Sequence, residues 1–246
     1  MIAPQRYFDA AQALLGHLQK TQLGAIGAAA DAVVHALQHG GTIYCSELGH
    51  GLQGDFIHRA GGLHAVQAFT YSSSVQAPGP ACRKQPGAEE NDRDLAKVRF
   101  AVQQSGLRAG DVMVLGSVSG RNRAPIELAL ACRDLGMKTI GLTALAYTRK
   151  IVSLHPSGKR LAEAVDIAID IGAPFGDAGV QVPGYDHELI PLSGLGTVTT
   201  GWLLWGMVME KMAAAGTPAS VYQSHNRPGG PEYNEAAKQR YNQQGY

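Results

Sequence analysis

The sequence predicts a doubly wound α/β fold, in which helices cover both faces of a parallel sheet. Three observations carry this expectation. Val112, Met113, Val114 and Leu115 form a continuously apolar run of strand length, as a strand buried on both faces must. Gly110 and Asp111 open that run as a turn, Gly116, Ser117 and Ser119 close it, and residues 124–132 then take up helical spacing. Strand-like and helix-like segments keep alternating along the chain. In residues 165–171 the apolar Val165, Ile167, Ile169 and Ile171 alternate with Asp166 and Asp170, the pattern of an edge strand.

Taken in order, Tyr7, Ala11, Leu14, Leu18, Ile26, Ala30, Val33 and Leu37 recur at helical intervals. They predict a helical hairpin or one long bent helix, ended by Gly40 and Gly41. Residues 42–46 read as the first strand, followed by the junction Glu47-Leu48-Gly49-His50-Gly51 and a helix through Arg59. Residues 64–69 read as the second strand. Residues 71–90 are rich in Ser, Pro and Gly, and a loop of that length in a compact domain is expected to be a lid or binding loop. A helix over 92–104 leads into the strand at 112–115, and 138–143 and 165–171 supply the fourth and fifth strands. A second long loop over 172–196 precedes a strongly apolar helix over 197–215, whose Trp202, Leu203, Leu204, Trp205 and Met209 suit a core or a subunit interface. No repeat or linker divides the chain. The expectation is one domain over 1–246, with N-terminal helices at 1–39, a sheet core at 40–193 and a C-terminal helix and tail at 194–246.

The 246 residues are 45% hydrophobic with a formal net charge of +1, enough for a large core and without the basic footprint that nucleic acid or an anionic membrane would require. Three widely spaced cysteines, Cys45, Cys82 and Cys132, fit neither a disulfide framework nor a zinc ribbon and read as free thiols. Pro4, Gln5, Arg6 and Asp9 near the start argue against a secretory signal, and the longest apolar stretch, 199–209, is too short to span a bilayer. The expected location is the cytoplasm.

The chemistry is expected where the 112–115 strand ends. In a parallel α/β sheet small molecules bind at the carboxyl ends of strands, and backbone N–H groups at a helix start favour an anion. Ser117 and Ser119 add hydroxyl donors, Gly120 permits close backbone approach, and Arg121 and Asn122 complete the expected cradle. The same serines also suit a plain helix cap.

Five blocks carry a family resemblance: Gly49-His50 with Arg59-Ala60-Gly61-Gly62 downstream; Ser117-Val118-Ser119-Gly120-Arg121-Asn122 with Ile126-Glu127; Ser157-Gly158-Lys159-Arg160-Leu161; Pro174-Phe175-Gly176-Asp177-Ala178; and the tail from Asn226 to Asn234. In this order they resemble the sugar isomerase (SIS) domain family, in particular its single-domain branch described as phosphosugar isomerases. The resemblance implies a SIS-type, flavodoxin-like α-β-α sandwich with a five-stranded parallel sheet, a sugar-phosphate ligand held by the 117–122 loop, and a homodimer or homotetramer. The chain also departs from the family pattern. Glu47-Leu48-Gly49-His50-Gly51 replaces Gly-x-Gly-His-Ser, and Gln53-Gly54-Asp55 stands where relatives carry Ala-Glu-Glu. The C-terminal helix has no His, so the zinc site of sedoheptulose-7-phosphate isomerases is not expected, nor is any cofactor.

Aldose–ketose isomerisation through an enediol needs a base beside C1–C2 and an acid for ring opening. His50, Glu47, His187 and Asp55 are the catalytic candidates, with Glu188 beside His187. Ser117, Ser119, Gly120, Arg121, Asn122, Gly49 and His225 are the expected substrate contacts, His225 facing its own pocket or a neighbour's. The leading expectation is a sugar-phosphate isomerase. A lyase or etherase on an amino-sugar phosphate and a non-catalytic sugar-phosphate sensor stand as alternatives.

Overall fold

The computed structural model describes residues 3–50, 52–74, 79–80, 82 and 92–246. Its centre is a five-stranded parallel sheet of order β2-β1-β3-β4-β5, built from β1 (Ile43–Gly49), β2 (Val66–Phe69), β3 (Val112–Gly116), β4 (Lys138–Thr143) and β5 (Ile167–Asp170). The apolar run in the middle of the chain is the middle strand. Its alternate side chains serve two cores: Val112 and Val114 face α2 (Leu23–Gln38) and α8 (Ser193–Ala214), while Met113 and Leu115 face α4 (Arg93–Gln103), α5 (Arg123–Asp134) and the one-turn α7 (Leu161–Ala164). All five residues of β3 are buried, which is why its sequence shows no polar alternation.

The acidic alternation of β5 does mark an edge. Asp170 N donates to Gln22 Oε1 at 3.0 Å, so a side chain from the N-terminal segment takes a ladder N–H that no strand reaches. Asp166, just before β5, accepts both Thr139 N (2.8 Å) and Thr139 Oγ1 (2.9 Å), prolonging the pairing with β4 through a carboxylate. The other edge is covered by the C-terminal segment: Leu63 bridges Val221, and His64 N donates to Ser220 O at 2.9 Å.

The N-terminal segment is the bent helix of the two expected forms. α1 (Ala3–Thr21) and α2 meet at Gln22, and the i to i+4 bonds Gln22 N to Leu18 O and Ile26 N to Gln22 O continue on either side. Five elements differ from expectation. The helix after β1 is one turn, α3 (Gln53–Phe56), because Phe56 dives into the core edge-on to Trp202 and Trp205, and His58 follows with a φ of 56°. Residues 172–196 are not all loop, since β6 (Ala178–Val180) and β7 (Leu189–Pro191) form an antiparallel pair and α8 starts at Ser193. One-turn α6 (Leu145–Thr148) follows β4. The tail folds into α9 (Gly230–Gln244), whose buried positions are only Gly230, Asn234 and Ala237, too few apolar residues for a periodic signal. Gly51 and residues 75–78, 81 and 83–91 lie outside the described residues, and with them most of the 71–90 loop expected to be a lid or binding loop.

Cys45 and Cys132 are buried with thiols pushed up to about 12 by desolvation, whereas Cys82 is exposed. A native sample is therefore expected to titrate one thiol with a disulfide reagent, and all three only after unfolding in guanidinium. Two or more fast-reacting thiols in the native protein would contradict this packing.

Candidate functional site

The site is built where β1 and β3 end side by side. Pairing slips between Cys45 and Gly49, so that four steps along β1 match two along β3. Ser46 Oγ accepts Leu48 N at 3.0 Å within this bulge, and Glu47 is turned out to solvent. Gly49 closes the bulge with a φ of 93°; a Cβ there would stand 2.4 Å from Gly116 O and 2.8 Å from a Pro125 ring carbon. That close approach lets His50 N donate to Gly116 O at 2.8 Å and sets His50 beside the loop after β3.

The loop itself has its carbonyls tied off. Val118 O accepts Ala144 N at 2.9 Å, Ser119 O accepts Thr148 Oγ1 at 2.9 Å, Gly120 O accepts Leu161 N at 2.8 Å, and Arg121 O accepts Leu154 N at 3.0 Å. Four successive acceptors thus point at β4, α6 and the 154–161 segment. Gly120, at φ 70°, is the turn that makes this possible, because a Cβ there would meet Thr143 Oγ1 at 2.9 Å and Thr148 Oγ1 at 3.0 Å. Donor groups are left on the opposite side. Asn122 starts α5 but its side chain makes no capping bond, and neither serine caps the helix: Ser117 Oγ accepts Gly120 N at 3.2 Å, within the loop. The plain helix-cap alternative therefore does not describe this junction.

A cavity of about 310 Å³ lies over these groups, lined by Gly49, His50, Ser117, Val118, Ser119 and Asn122 together with Tyr147, Gly176 and Asp177. Asp177 accepts Ser193 N (2.8 Å), Leu192 N (3.2 Å) and Ser193 Oγ (2.8 Å), so its carboxylate is spent on fastening the start of α8 to the cavity wall. The side chains of His50 and Tyr147 make no hydrogen bond among the described residues, and both face the cavity.

The other expected site residues are elsewhere. Gly120 and Arg121 do not line the cavity; Arg121 Nε is buried without a partner among the described residues. Glu47 and Asp55 are exposed, and His187 is exposed in the β6–β7 connection, bonded to Asp186 Oδ1 at 2.6 Å. His225 lines a different cavity, at the amino end of β2. Tyr147 and Asp177 were not among the sequence candidates. Asp177 sits in one of the five matching blocks, whereas the single helical turn bearing Tyr147 leaves no periodic trace.

Behind the loop, buried Glu127 of α5 accepts His155 Nε2 at 2.6 Å and pairs with Arg99 of α4. Ser157 N donates to His155 Nδ1 at 3.1 Å, so the ring proton is on Nε2, directed at the carboxylate. The Ser157-to-Leu161 block thus braces the cradle from outside: Arg160 Nη1 holds Thr148 O at 2.8 Å and Leu161 N holds Gly120 O.

Among the described residues no group of three His, Cys, Asp or Glu is placed to hold a metal, and no helix is long and apolar enough to cross a membrane. The SIS domain family description matches residues 6–144. The chain is 33% identical to a UPF0309 protein of Streptomyces griseus, over 93% of this chain and 91% of that one. It is 32% identical to a UPF0309 protein of Listeria innocua, over 96% and 95%. In fold it is similar to the phosphoheptose isomerase of Neisseria gonorrhoeae, with a TM-score of 0.52 and 18% identity over 85% of this chain and 95% of that one. The chain belongs to the SIS-domain family and, within it, to the UPF0309 proteins.

Proposed function

We propose that the protein binds a phosphorylated sugar in the β1–β3 cavity and interconverts its aldose and ketose forms. The observation that carries the reading is the orientation of the 118–121 loop: its carbonyls are all occupied on the far side, so hydroxyls, the Asn122 amide and the uncapped start of α5 face the cavity. Such a surface accepts an oxyanion and repels a cation. His50, free at the cavity wall, is the base that would take the proton between C1 and C2 and return it to the neighbouring carbon through the enediol. Its backbone is fixed by the bond to Gly116 O, so the ring has a defined origin.

Ser119→Ala combined with Asn122→Ala is expected to weaken sugar-phosphate affinity on the order of 100-fold, the loss of two charge-assisted bonds, with the unfolding midpoint unchanged. Calorimetric titration with a panel of sugar phosphates reads it, and unchanged affinity for every sugar that the wild type binds would sink the cradle. His50→Asn is expected to abolish deuterium exchange at C2 while leaving affinity intact. A second reading has its own support: Asp177 is spent on α8, which leaves His50 without a carboxylate beside it to share the proton work. Binding without exchange in the wild type favours a sensor, and exchange without a new sugar favours a lyase or etherase.

We also infer a homodimer or homotetramer. α1 and the start of α2 leave Phe8, Leu15 and Leu23 exposed at 60%, 40% and 43%, an apolar stripe that a two-fold partner would cover. A strictly monomeric mass by light scattering at micromolar concentration would refute it.

A further inference from the structure

We propose that the cavity at the amino end of β2 is a second binding site, taking a small phosphate ester, and that it works apart from the cradle at the carboxyl ends of β1 and β3. The cavity holds about 460 Å³, more than the cradle's 310 Å³ and well above the needs of an inorganic ion. Its walls come from the start of β2 and the turn before it, the strand-like residues after α8, and one side of α9 along most of its length. None of them belongs to the cradle.

The focal residue is His64. Its ring is 4% exposed, stacks on Tyr222 at 3.6 Å between centroids, and lines the cavity, yet Nε2 is buried with no partner among the described residues. Leaving a buried ring nitrogen unsatisfied is costly, and a ligand oxygen would remove the cost. Cationic side chains stand near it. Lys238 and His58 also line the cavity, and burial first, then His58, Arg240 and Lys238, push the His64 imidazole below its ordinary range. Glu235 is the opposing carboxylate in the lining, and it already accepts Gln239 Nε2 at 3.3 Å. With the ring proton on Nε2, His64 would donate to an oxyanion seated between it and Lys238, so that the ligand meets the empty nitrogen and the ammonium together. The three imidazoles do not converge to hold a metal.

The ester's body has a place as well. Tyr222 and Tyr241 form the aromatic side of the cavity, with His58 edge-on to Tyr222 at 5.5 Å. Buried Asn234 holds the rim, its Oδ1 accepting Gln223 N at 2.8 Å and its Nδ2 donating to Gln223 O at 2.9 Å, which sets His225 at the opening. The block from Asn226 to Asn234, which the cradle does not use, thereby acquires a task.

The test is a titration of the isotopically labelled full chain with phenyl phosphate, followed through backbone amide resonances, with phenol as the neutral control. Saturable shifts at Tyr222, Asn234 and Lys238 are expected, weakened about tenfold in exposed Lys238→Gln and in His64→Phe, with the responses of Gly49 and Ser119 unaltered by either substitution. If His64→Phe fails to fold, Lys238→Gln alone decides. No saturable shift at the three residues, an affinity indifferent to Lys238→Gln, or equal shifts with phenol would overturn the proposal. Failure of the cradle shows separately, at Gly49 and Ser119.

Discussion

Gly49→Ala is expected to destabilise the protein by about 3 kcal/mol or more and to remove sugar-phosphate binding with it. Two costs add at this position. A φ of 93° is one that an L side chain rarely adopts, and the new methyl would meet Gly116 O at 2.4 Å, an atom of the middle strand that cannot turn aside as a side chain would. The Pro125 ring, 2.8 Å away, blocks the other direction of relief. Relaxation must therefore part β1 from β3, and with it the bond that sets His50. Urea unfolding with parallel ligand titration would read both effects. A variant of wild-type stability would mean that the bulge between Cys45 and Gly49 reshapes freely, against the geometry described.

Glu127→Ala is expected to cost about 3 kcal/mol, the usual scale for breaking a buried ion pair on one side. Arg99 is 43% exposed and recovers solvent, but the His155 side chain, 5% exposed, is left with an unmet Nε2–H. Glu127→Gln keeps an acceptor oxygen and should lose less than half as much. The informative part is functional. His155 anchors the segment whose Leu154 and Leu161 N–H groups occupy the carbonyls of Arg121 and Gly120, so ligand affinity should fall although Glu127 is nowhere in the cavity. Lost stability at unchanged affinity would show that the loop holds its shape without this brace.

Much of the fold was legible because its signals are local. The apolar run at 112–115, the acidic alternation around β5 and the glycine pair ending α2 each answer to a nearest-neighbour rule. The site was half legible. Gly49, His50, Ser117, Ser119 and Asn122 meet in one cavity because strand ends and loop starts are sequence-local features. Glu47 and Arg121 were misplaced by things periodicity cannot express: a bulge that turns Glu47 outward, and a left-handed Gly120 that turns the next residue off the cavity wall. Asp55 was misplaced because Phe56 ends its helix after one turn, and α9 was missed because it buries a glycine, an asparagine and an alanine instead of an apolar stripe.

The clasp between Gln22 and Asp170 joins residues 148 positions apart, and it has a consequence for the chain as it is made. The ribosome releases α2 early, with Ile26, Ala29, Ala30, Val33 and Leu37 destined for full burial. Of its partners, β1 and β3 emerge first, and the edge strand and α8 follow only much later. At about 5–20 residues per second the nascent helix waits roughly 7–30 s with that apolar face only partly covered. The interval is long on the scale of collapse and helix formation, which take microseconds. Synthesis therefore proceeds through a stage in which that face is only partly covered. Slowing translation between β3 and α8 should raise aggregation of the wild type, and unchanged aggregation would show that β1 and β3 alone protect it.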